Sequence, residues 1–147
     1  MTALKLMAAG RKLLNIYNGL SAPICKRYGI NQTCFDILLF CANNPENNTA
    51  RDICELRGIK SGMASVATEM LIKKGFLRRE DDAKDRRLRR LTPTEKAAPI
   101  IKEGRDMQRY FAEVLTSGIS EQEAQALRSA ADKLILSAER FLKEENR

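Results

Sequence analysis

The chain has 147 residues, 44% hydrophobic and 31% charged, which is enough to bury a core as one domain or as two small lobes. It contains no histidine, which argues against zinc sites of the usual Cys/His spacing and against His-dependent catalysis, so we expect neither an enzyme nor a bound metal or cofactor. The formal net charge is +7, no stretch approaches the ~18 apolar residues of a membrane span, and basic residues interrupt the apolar N-terminus, so we expect a cytoplasmic protein.

Two helices are predicted at the start of the chain. Apolar residues spaced by three, four and seven positions indicate a helix over residues 3–28. Pro23 is expected to kink or split this helix near residues 21–22, and Gly29 to end it. Asn31 caps a second helix, which is apolar on nearly every side and should therefore be buried.

The segment 49–75 carries two short helical patterns separated by a tight break. Thr49 followed by Asp52 predicts a capping box at the start of the first pattern. Gly58 can end that helix with the positive φ that other residues resist. The inward stripe of this first helix is expected to be Ile53, Leu56 and Ile59.

The second pattern begins after Lys60 and stops at Gly75. Residues at three-to-four spacing are expected to point inward: Ala64, Ala67, Thr68, Leu71 and Ile72. The opposite face presents Met63, Ser65, Val66 and Glu69. Two helices joined in this way indicate a helix-turn-helix, whose second helix could lie in a major groove.

A basic hairpin follows the second helix. Residues 76–79 are predicted to be a strand, residues 80–86 a polar turn, and residues 87–91 the returning strand. Between residues 73 and 90 nine basic residues stand against four acidic ones, which accounts for five of the seven net positive charges. A cationic hairpin beside a helix-turn-helix is a winged helix, with its wing placed to meet phosphates and a minor groove.

Two further helices are predicted beyond the wing, separated at Gly118. The first opens with Thr92 or Thr94 as its cap, and Ser120 with Glu123 caps the second. The last helix carries two heptad columns: Ala124, Ala131 and Ala138, and Leu127, Leu134 and Phe141. Such a seam fits either packing within the chain or a partner helix; its place beside a DNA-binding unit favours a dimer.

Five blocks of the sequence resemble, in order and in spacing, the DNA-binding core of the MarR family of bacterial transcriptional regulators. The blocks are residues 30–38, Gly58 with Ile59, residues 73–77, residues 85–87 and residues 91–96. The resemblance favours Thr94 as the helix cap. The sequence departs from the family pattern at Cys34, Val66 and Ala97; the change at Val66 puts the usual base contacts of the second helix in question.

The resemblance implies a mainly α fold with a small β-wing, and it covers residues 1–147 as a single domain. Residues 31–94 would form the winged-helix DNA-binding region, and residues 1–30 with 95–147 the helical dimerisation region. A protein of this kind would be a homodimeric, sequence-specific regulator that binds double-stranded DNA at an inverted repeat. The expected action is repression that a small, often aromatic ligand relieves.

Candidate DNA contacts fall into two groups, because phosphate contacts set affinity and base contacts set sequence preference. The phosphate candidates are Lys60, Ser61, Arg78, Arg79 and Arg89. The base-edge candidates on the second helix are Gly62, Met63, Ser65 and Val66, of which Met63 and Val66 could only touch a thymine methyl group. Arg87 is expected to enter the minor groove with Asp85 holding its guanidinium, and Arg86 is the alternative.

A ligand pocket and a reactive thiol are less clearly indicated. The resemblance implies a pocket between the two lobes, with these lining candidates: Tyr17, Ile24, Phe35, Leu39, Phe111 and Leu115. Each of them also fits an ordinary core position. The four cysteines are Cys25, Cys34, Cys41 and Cys54. Buried cysteines are usually inert, although a thiol-based redox regulator of the same fold is an alternative.

A hypothesis from another class is a winged helix that serves protein–protein assembly without reading DNA. The two hypotheses differ at the arginines of the wing. Loss of Arg87 and Arg89 should lower DNA affinity and flatten its salt dependence only if the wing binds phosphates.

Overall fold

The computed structural model describes residues 2–145, which form six α-helices and one two-stranded antiparallel sheet. The predicted mainly α fold with a small wing is confirmed. The helices are α1 Ala3–Tyr28, α2 Gln32–Asn43, α3 Ala50–Arg57, α4 Ser61–Lys73, α5 Ala98–Thr116 and α6 Glu121–Glu145. The strands are β1 Leu77–Asp81 and β2 Arg89–Pro93, and a 3-10 turn Glu95–Ala97 leads into α5.

The chain divides into two compact units, one up to Arg109 and the other from Tyr110 onward. The core of the first unit is built around α2, whose burial was predicted. The fully buried side chains of this helix are Cys34, Phe35, Ile37, Leu38, Leu39 and Cys41. In the second unit, α6 exposes most of its apolar side chains, and residues 146–147 of the predicted dimerisation region, like residue 1, lie outside the described residues.

Helix α1 runs without interruption through Pro23, so the predicted split near residue 21 is wrong. A proline inside a helix removes one backbone hydrogen bond. Pro23 itself is exposed, while Ser21, Ile24 and Cys25 on either side are buried. Packing of these neighbours on the core compensates for the missing bond. Gly29 ends the helix with φ 65°, as predicted.

The helix-turn-helix forms with the predicted caps. Thr49 and Asp52 make a reciprocal capping box, and Gly58 ends α3 with φ 73°. One prediction is wrong here, because Leu56 is 58% exposed and only Ile53 of the expected stripe is fully buried. Helix α3 has only eight residues, so a single buried position is enough to dock it.

The strands of the wing lie about two residues further along the chain than predicted. The register pairs Glu80 with Arg90 and Asp81 with Arg89, so residues of opposite charge face each other across the hairpin. The turn therefore spans residues 82–88 instead of 80–86. Cross-strand charge pairing is a property of the folded hairpin, and the run of basic residues alone did not reveal it.

The cap of the long helix also differs from both alternatives. Thr92 belongs to β2, and Thr94 stands at the start of the 3-10 turn without making a side-chain cap. Its hydroxyl instead donates to the carbonyl of Gly75, while its backbone N–H donates to Phe76 O at 3.0 Å. The residue thus attaches the end of the wing to the end of α4.

Candidate nucleic-acid interface

The exposed front of α4 is the surface that the sequence predicts will face DNA bases. Met63 is 54% exposed and Val66 is 64% exposed, while Ala64, Ala67, Thr68 and Leu71 are buried on the opposite side. The helix is therefore fixed by one apolar face and presents the other. Ser61, Gly62 and Ser65 share the exposed front, as predicted.

The chemistry of this front is unusual for a DNA-reading helix, because its first two turns carry no charged side chain. The first charge within the helix is Glu69, and Arg79 of β1 forms an ion pair with it. Lys60, directly before the helix, is exposed and makes no side-chain cap. What this surface offers to bases is therefore methyl groups and small hydroxyls.

Four arginines of the wing strands are held by carboxylates. Arg78 pairs with Glu80, and the hydrogen bonds from Arg78 and then Thr92 lower the pKa of the Glu80 carboxyl below its ordinary value. Arg79 pairs with Glu69, as described above. Arg89 lies 3.9 Å from Asp81, and Arg90 lies 3.3 Å from Asp82. The net positive charge of the strands is correspondingly reduced.

The tip of the wing differs from its strands. The Asp85 carboxylate accepts a hydrogen bond from the backbone N–H of Arg87 at 3.0 Å, so it shapes the turn and does not hold the guanidinium as predicted. Leu88 N–H donates to Asp85 O at 3.0 Å and closes the same turn. Arg86 and Arg87 are exposed, and within residues 2–145 neither has a carboxylate at salt-bridge distance. Together with the exposed Lys84 of the same turn, which has no salt bridge to a described residue, these two guanidinium groups are the cations of the wing that remain available to an anion.

Arg90 has a structural role that sequence reasoning missed. Its guanidinium donates to the carbonyl of Glu46 at 2.6 Å, to Oδ1 of Asn48 at 3.4 Å and to Asp82 at 3.3 Å. Leu91 N–H donates to the carbonyl of Asn48 at 3.0 Å. The base of the wing is thereby tied to the loop before α3.

A second surface that the sequence did not indicate lies at the start of α2. Asn31 and Thr33 line a shallow depression of about 280 Å³ together with Gly62, Met63 and Val66 of α4. The capping role of Asn31 could be predicted, but its position beside α4 depends on tertiary packing. Thr33 is therefore an additional candidate for contact with a DNA backbone next to the front of α4.

Four of the six predicted ligand-pocket residues belong to the first unit. Ile24, Phe35 and Leu39 are buried in its core, and the ring of Tyr17 lies 6.5 Å from that of Phe35. A cavity of about 680 Å³ lies elsewhere in this unit, along the end of α2 and the start of α5. The other two candidates, Phe111 and Leu115, belong to the second unit.

The cysteines fall into two classes. Cys25, Cys34 and Cys41 are buried, and burial raises the pKa of each thiol, to about 12 for Cys41. Cys54 on α3 is partly exposed. No group of three acidic or cysteine side chains within residues 2–145 is arranged to hold a metal ion. In the same range, no helix has both the length and the apolar character needed to cross a membrane.

Comparison with known proteins agrees with this geometry. Residues 28–88 match the model of the MarR family. A MarR protein from Peptoclostridium difficile has a TM-score of 0.78 and 19% identity, over 95% of this chain and 90% of its own. A MarR transcriptional regulator from Methanosarcina mazei has a TM-score of 0.75 and 18% identity, over 92% and 97%. CouR from Rhodococcus jostii, solved with p-coumaroyl-CoA bound, has a TM-score of 0.73 and 17% identity, over 88% and 87%.

Proposed function

Because residues 28–88 match the model of the MarR family and the chain folds as a winged helix, we propose that the protein is a homodimeric transcriptional regulator that binds an inverted repeat in double-stranded DNA. Its regulatory action would be repression that a small ligand relieves. The alternative, an assembly module that does not read DNA, shares the fold and differs in what the wing contacts.

The observation that carries the proposal is the state of the wing tip. Arg86 and Arg87 project from a turn closed by Asp85, and no carboxylate among the described residues neutralises them. The four arginines of the strands are paired, so the available positive charge is concentrated at the tip. Two adjacent guanidinium groups on a narrow hairpin suit phosphates or the minor groove.

Sequence preference in this proposal comes from several weak sources. Met63 and Val66 can contact thymine methyl groups, and Ser65 can donate or accept a hydrogen bond. Because the front of α4 lacks arginine, lysine, asparagine and glutamine, the strong bidentate contacts to guanine and adenine are missing. We therefore expect an operator rich in A·T pairs, whose groove shape contributes to recognition.

Exposed apolar side chains support the homodimer. In the first unit, the N-terminal half of α1 exposes Leu4 at 79% and Met7 at 66%. In the second unit, the predicted column of α6 is exposed at 61% for Leu127, 54% for Leu134 and 61% for Phe141. Rows of this kind on helices mark surfaces that pack against another chain. A dimer would present two copies of α4, as an inverted repeat requires.

Ligand control rests on similarity of fold alone. CouR, which is similar over most of this chain, was solved with p-coumaroyl-CoA. The six predicted pocket residues remain the candidates for contact with a ligand. The cavity of about 680 Å³ near Cys41, Ile101 and Arg105 is the other place in the first unit where a small molecule could be tested.

The first experiment is selection of binding sites from a random duplex library at near-physiological salt, with the cysteines kept reduced. Enrichment of a pseudo-palindrome with half-sites about one helical turn apart would support a dimeric sequence reader. Salt-sensitive binding without an enriched motif would contradict sequence-specific reading. Absence of binding would favour the assembly alternative.

A paired variant then tests the wing tip. Arg86→Ala with Arg87→Ala should reduce the slope of log affinity against log salt by about 1 to 2, because each lost phosphate contact removes about 0.9. The matched control is Lys102→Ala with Arg109→Ala on α5, which removes the same charge from exposed positions outside the wing. Equal effects of the two pairs would assign the wing only a general electrostatic role.

A further inference from the structure

The exposed surface of α4 has an apolar side and a polar side. Met63, Val66 and Met70 follow one another at spacings of three and four residues, so they form a single stripe along the helix. Ser65 and Glu69 lie on the polar side of the exposed surface. More than half of the Met63 side chain and of the Val66 side chain is exposed. The apolar stripe is therefore available to a partner.

The stripe forms one wall of the shallow depression of about 280 Å³ between the starts of α2 and α4. The residues around this depression carry no charged side chain: Asn31, Thr33, Gly62, Met63, Val66 and Ala67. The side-chain oxygen of Asn31 accepts a hydrogen bond from the backbone N–H of Cys34 at 2.8 Å, so it is already used within the protein. Gly62 has no side chain, and an added Cβ atom there would meet nothing within 4 Å. The depression is therefore mostly apolar and has room for a small group.

This apolar surface is continuous with basic side chains. Ser65, the neighbour of Val66 in the chain, borders a cavity of about 230 Å³ together with Arg79 and Arg89 of the wing strands. Lys60, which precedes the helix, is exposed. An apolar protein face is a poor partner for such a surface, because burial of the flanking cations would cost desolvation free energy. A polyanion that carries small apolar groups suits both features.

Duplex DNA is a polyanion whose major groove displays one small apolar group, the methyl on C5 of thymine. Opposite a purine edge, Met63 and Val66 would cover nitrogen and oxygen acceptors and offer them no hydrogen-bond donor, which costs free energy. Opposite a C5 methyl, the same side chains remove an apolar group from water, which is favourable. The stripe therefore selects a pyrimidine by its methyl group. Cytosine that is methylated at C5 carries the same group at the same ring atom.

We propose that the depression between α2 and α4 is a binding site for the C5-methyl group of a pyrimidine, with Met63 and Val66 as the residues that determine this specificity. Such binding rests on the proposed function, because it requires α4 to lie in a major groove. The two side chains offer no strong hydrogen-bonding group to O4 of thymine or N4 of cytosine. At the positions that face the stripe, 5-methylcytosine is therefore read as thymine, and methylation of an operator cytosine raises the affinity of this protein.

The test begins with parallel selections by the full chain from two random duplex libraries, one with thymidine and one with deoxyuridine in its place. We expect the selected thymidine sites to lose about fourfold in affinity for each methyl group removed opposite α4, the factor that burial of one methyl-sized group gives. Equal binding to the thymidine and deoxyuridine forms at every position would overturn the methyl site and leave the proposed function intact. Absence of binding to either library would overturn both.

A second measurement compares cytosine with 5-methylcytosine. At each thymine position where deoxyuridine lowers the affinity, the T·A pair is replaced by C·G, in an unmethylated and in a C5-methylated form. The methylated duplex should bind about fourfold more tightly than the unmethylated one, as measured by fluorescence anisotropy with labelled duplexes. Equal affinities of the two forms would contradict the equivalence of the two methyl groups.

A matched pair of variants assigns the effect to the stripe. In Val66→Thr a hydroxyl replaces one methyl group with little change of shape, at an exposed position where the fold should tolerate it. The affinity ratio between thymidine and deoxyuridine duplexes should fall by at least about half in this variant. Ser65→Ala, on the polar side of the helix, should leave that ratio unchanged. An unchanged ratio in Val66→Thr, or an equal fall in Ser65→Ala, would overturn the assignment to the stripe.

Discussion

The guanidinium of Arg57 lies 3.1 Å from the carboxylate of Asp36 and joins the end of α3 to the middle of α2. The Asp36 side chain is only 14% exposed, and Gln32 donates a second hydrogen bond to it at 2.9 Å. Gln32 also accepts from Ser21 of α1 at 2.6 Å. A chain of polar contacts therefore runs from α1 through α2 to the helix-turn-helix.

Replacing Arg57 with methionine should destabilise the protein, because the aliphatic stem is kept while the buried Asp36 carboxylate loses its cation. The free energy of unfolding should fall by about 2 kcal/mol, the usual contribution of a hydrogen bond to a charged group. Urea denaturation measures it. The matched control, Arg51→Met, breaks an exposed pair with Glu55 and should cost no more than about 0.5 kcal/mol. Equal losses of unfolding free energy in the two variants would show that the contact of Arg57 with Asp36 contributes no more than an exposed ion pair.

Asp36 should also give the protein a distinct response to pH. Burial raises the pKa of its carboxyl, although the hydrogen bond from Gln32 and the charge of Arg57 oppose the shift. The folded state therefore holds this proton more tightly than the unfolded chain, and stability from this group falls as pH rises above 3.8 towards the folded pKa. The stability of the wild type relative to Asp36→Asn should be greater at pH 4 than at pH 7.

The control for this pH measurement is Asp106→Asn. A hydrogen bond from Lys102 lowers the pKa of the Asp106 carboxyl, so its contribution to stability is lost as pH falls through the folded pKa. The difference between wild type and Asp106→Asn should change with pH in the opposite direction. If the stability difference changed with pH in the same direction for both variants, the raised pKa of the Asp36 carboxyl would be contradicted.

Gly104 should not tolerate a side chain. A Cβ atom there would lie 2.8 Å from Cδ1 and 2.9 Å from Cδ2 of Leu39, which is 1% exposed and cannot move aside freely. Overpacking costs about 1–3 kcal/mol, and the gain in helix propensity offsets about 1 kcal/mol, so Gly104→Ala should be destabilising by about 1 kcal/mol. Gly19→Ala in α1, where nothing lies within 4 Å of the added Cβ, should instead stabilise.

A double-variant cycle makes this prediction specific. Combining Gly104→Ala with Leu39→Ala should cost less than the sum of the single changes, since the shorter side chain removes the clash. Additive costs would show that the contact between Gly104 and Leu39 does not limit the packing of α5 on α2.

Glu69 should weaken DNA binding in the wild type. It is the only acidic side chain on α4, and it pairs with Arg79. In Glu69→Gln the repulsion of phosphates is removed and Arg79 is released, so affinity should rise about two- to fivefold at low salt and less at high salt. Fluorescence anisotropy with a labelled duplex measures it, with Glu139→Gln on α6 as the control. A fall in affinity would instead assign Glu69 to a base contact.

Much of the fold could be predicted because its signals are local. The capping box of Thr49 and Asp52, the helix end at Gly58 and the apolar positions of α2 each depend on a few neighbouring residues, and each is present in the structure. The exposed front of α4 followed in the same way from helical spacing.

The features that the sequence did not predict depend on distant residues. The register of the wing places Asp81 opposite Arg89, and the contacts of Arg79 depend on how β1 lies beside α4. Leu56 has helical spacing but no core residue opposite it. For the same reason a count of basic residues could not separate the free guanidinium groups of Arg86 and Arg87 from the paired ones on the strands.

The attachment of Arg90 to the loop before α3 sets a limit on how this protein can vary. Polar loops ordinarily accept insertions and deletions with little cost. Here the carbonyl of Glu46 and the side-chain oxygen of Asn48 accept hydrogen bonds from Arg90, and the carbonyl of Asn48 accepts one from the backbone N–H of Leu91. The loop therefore acts as a spacer of fixed length. Adding one residue between Pro45 and Asn48 would move the wing relative to α4, and so change the separation of the two DNA grooves that one protomer can reach at once.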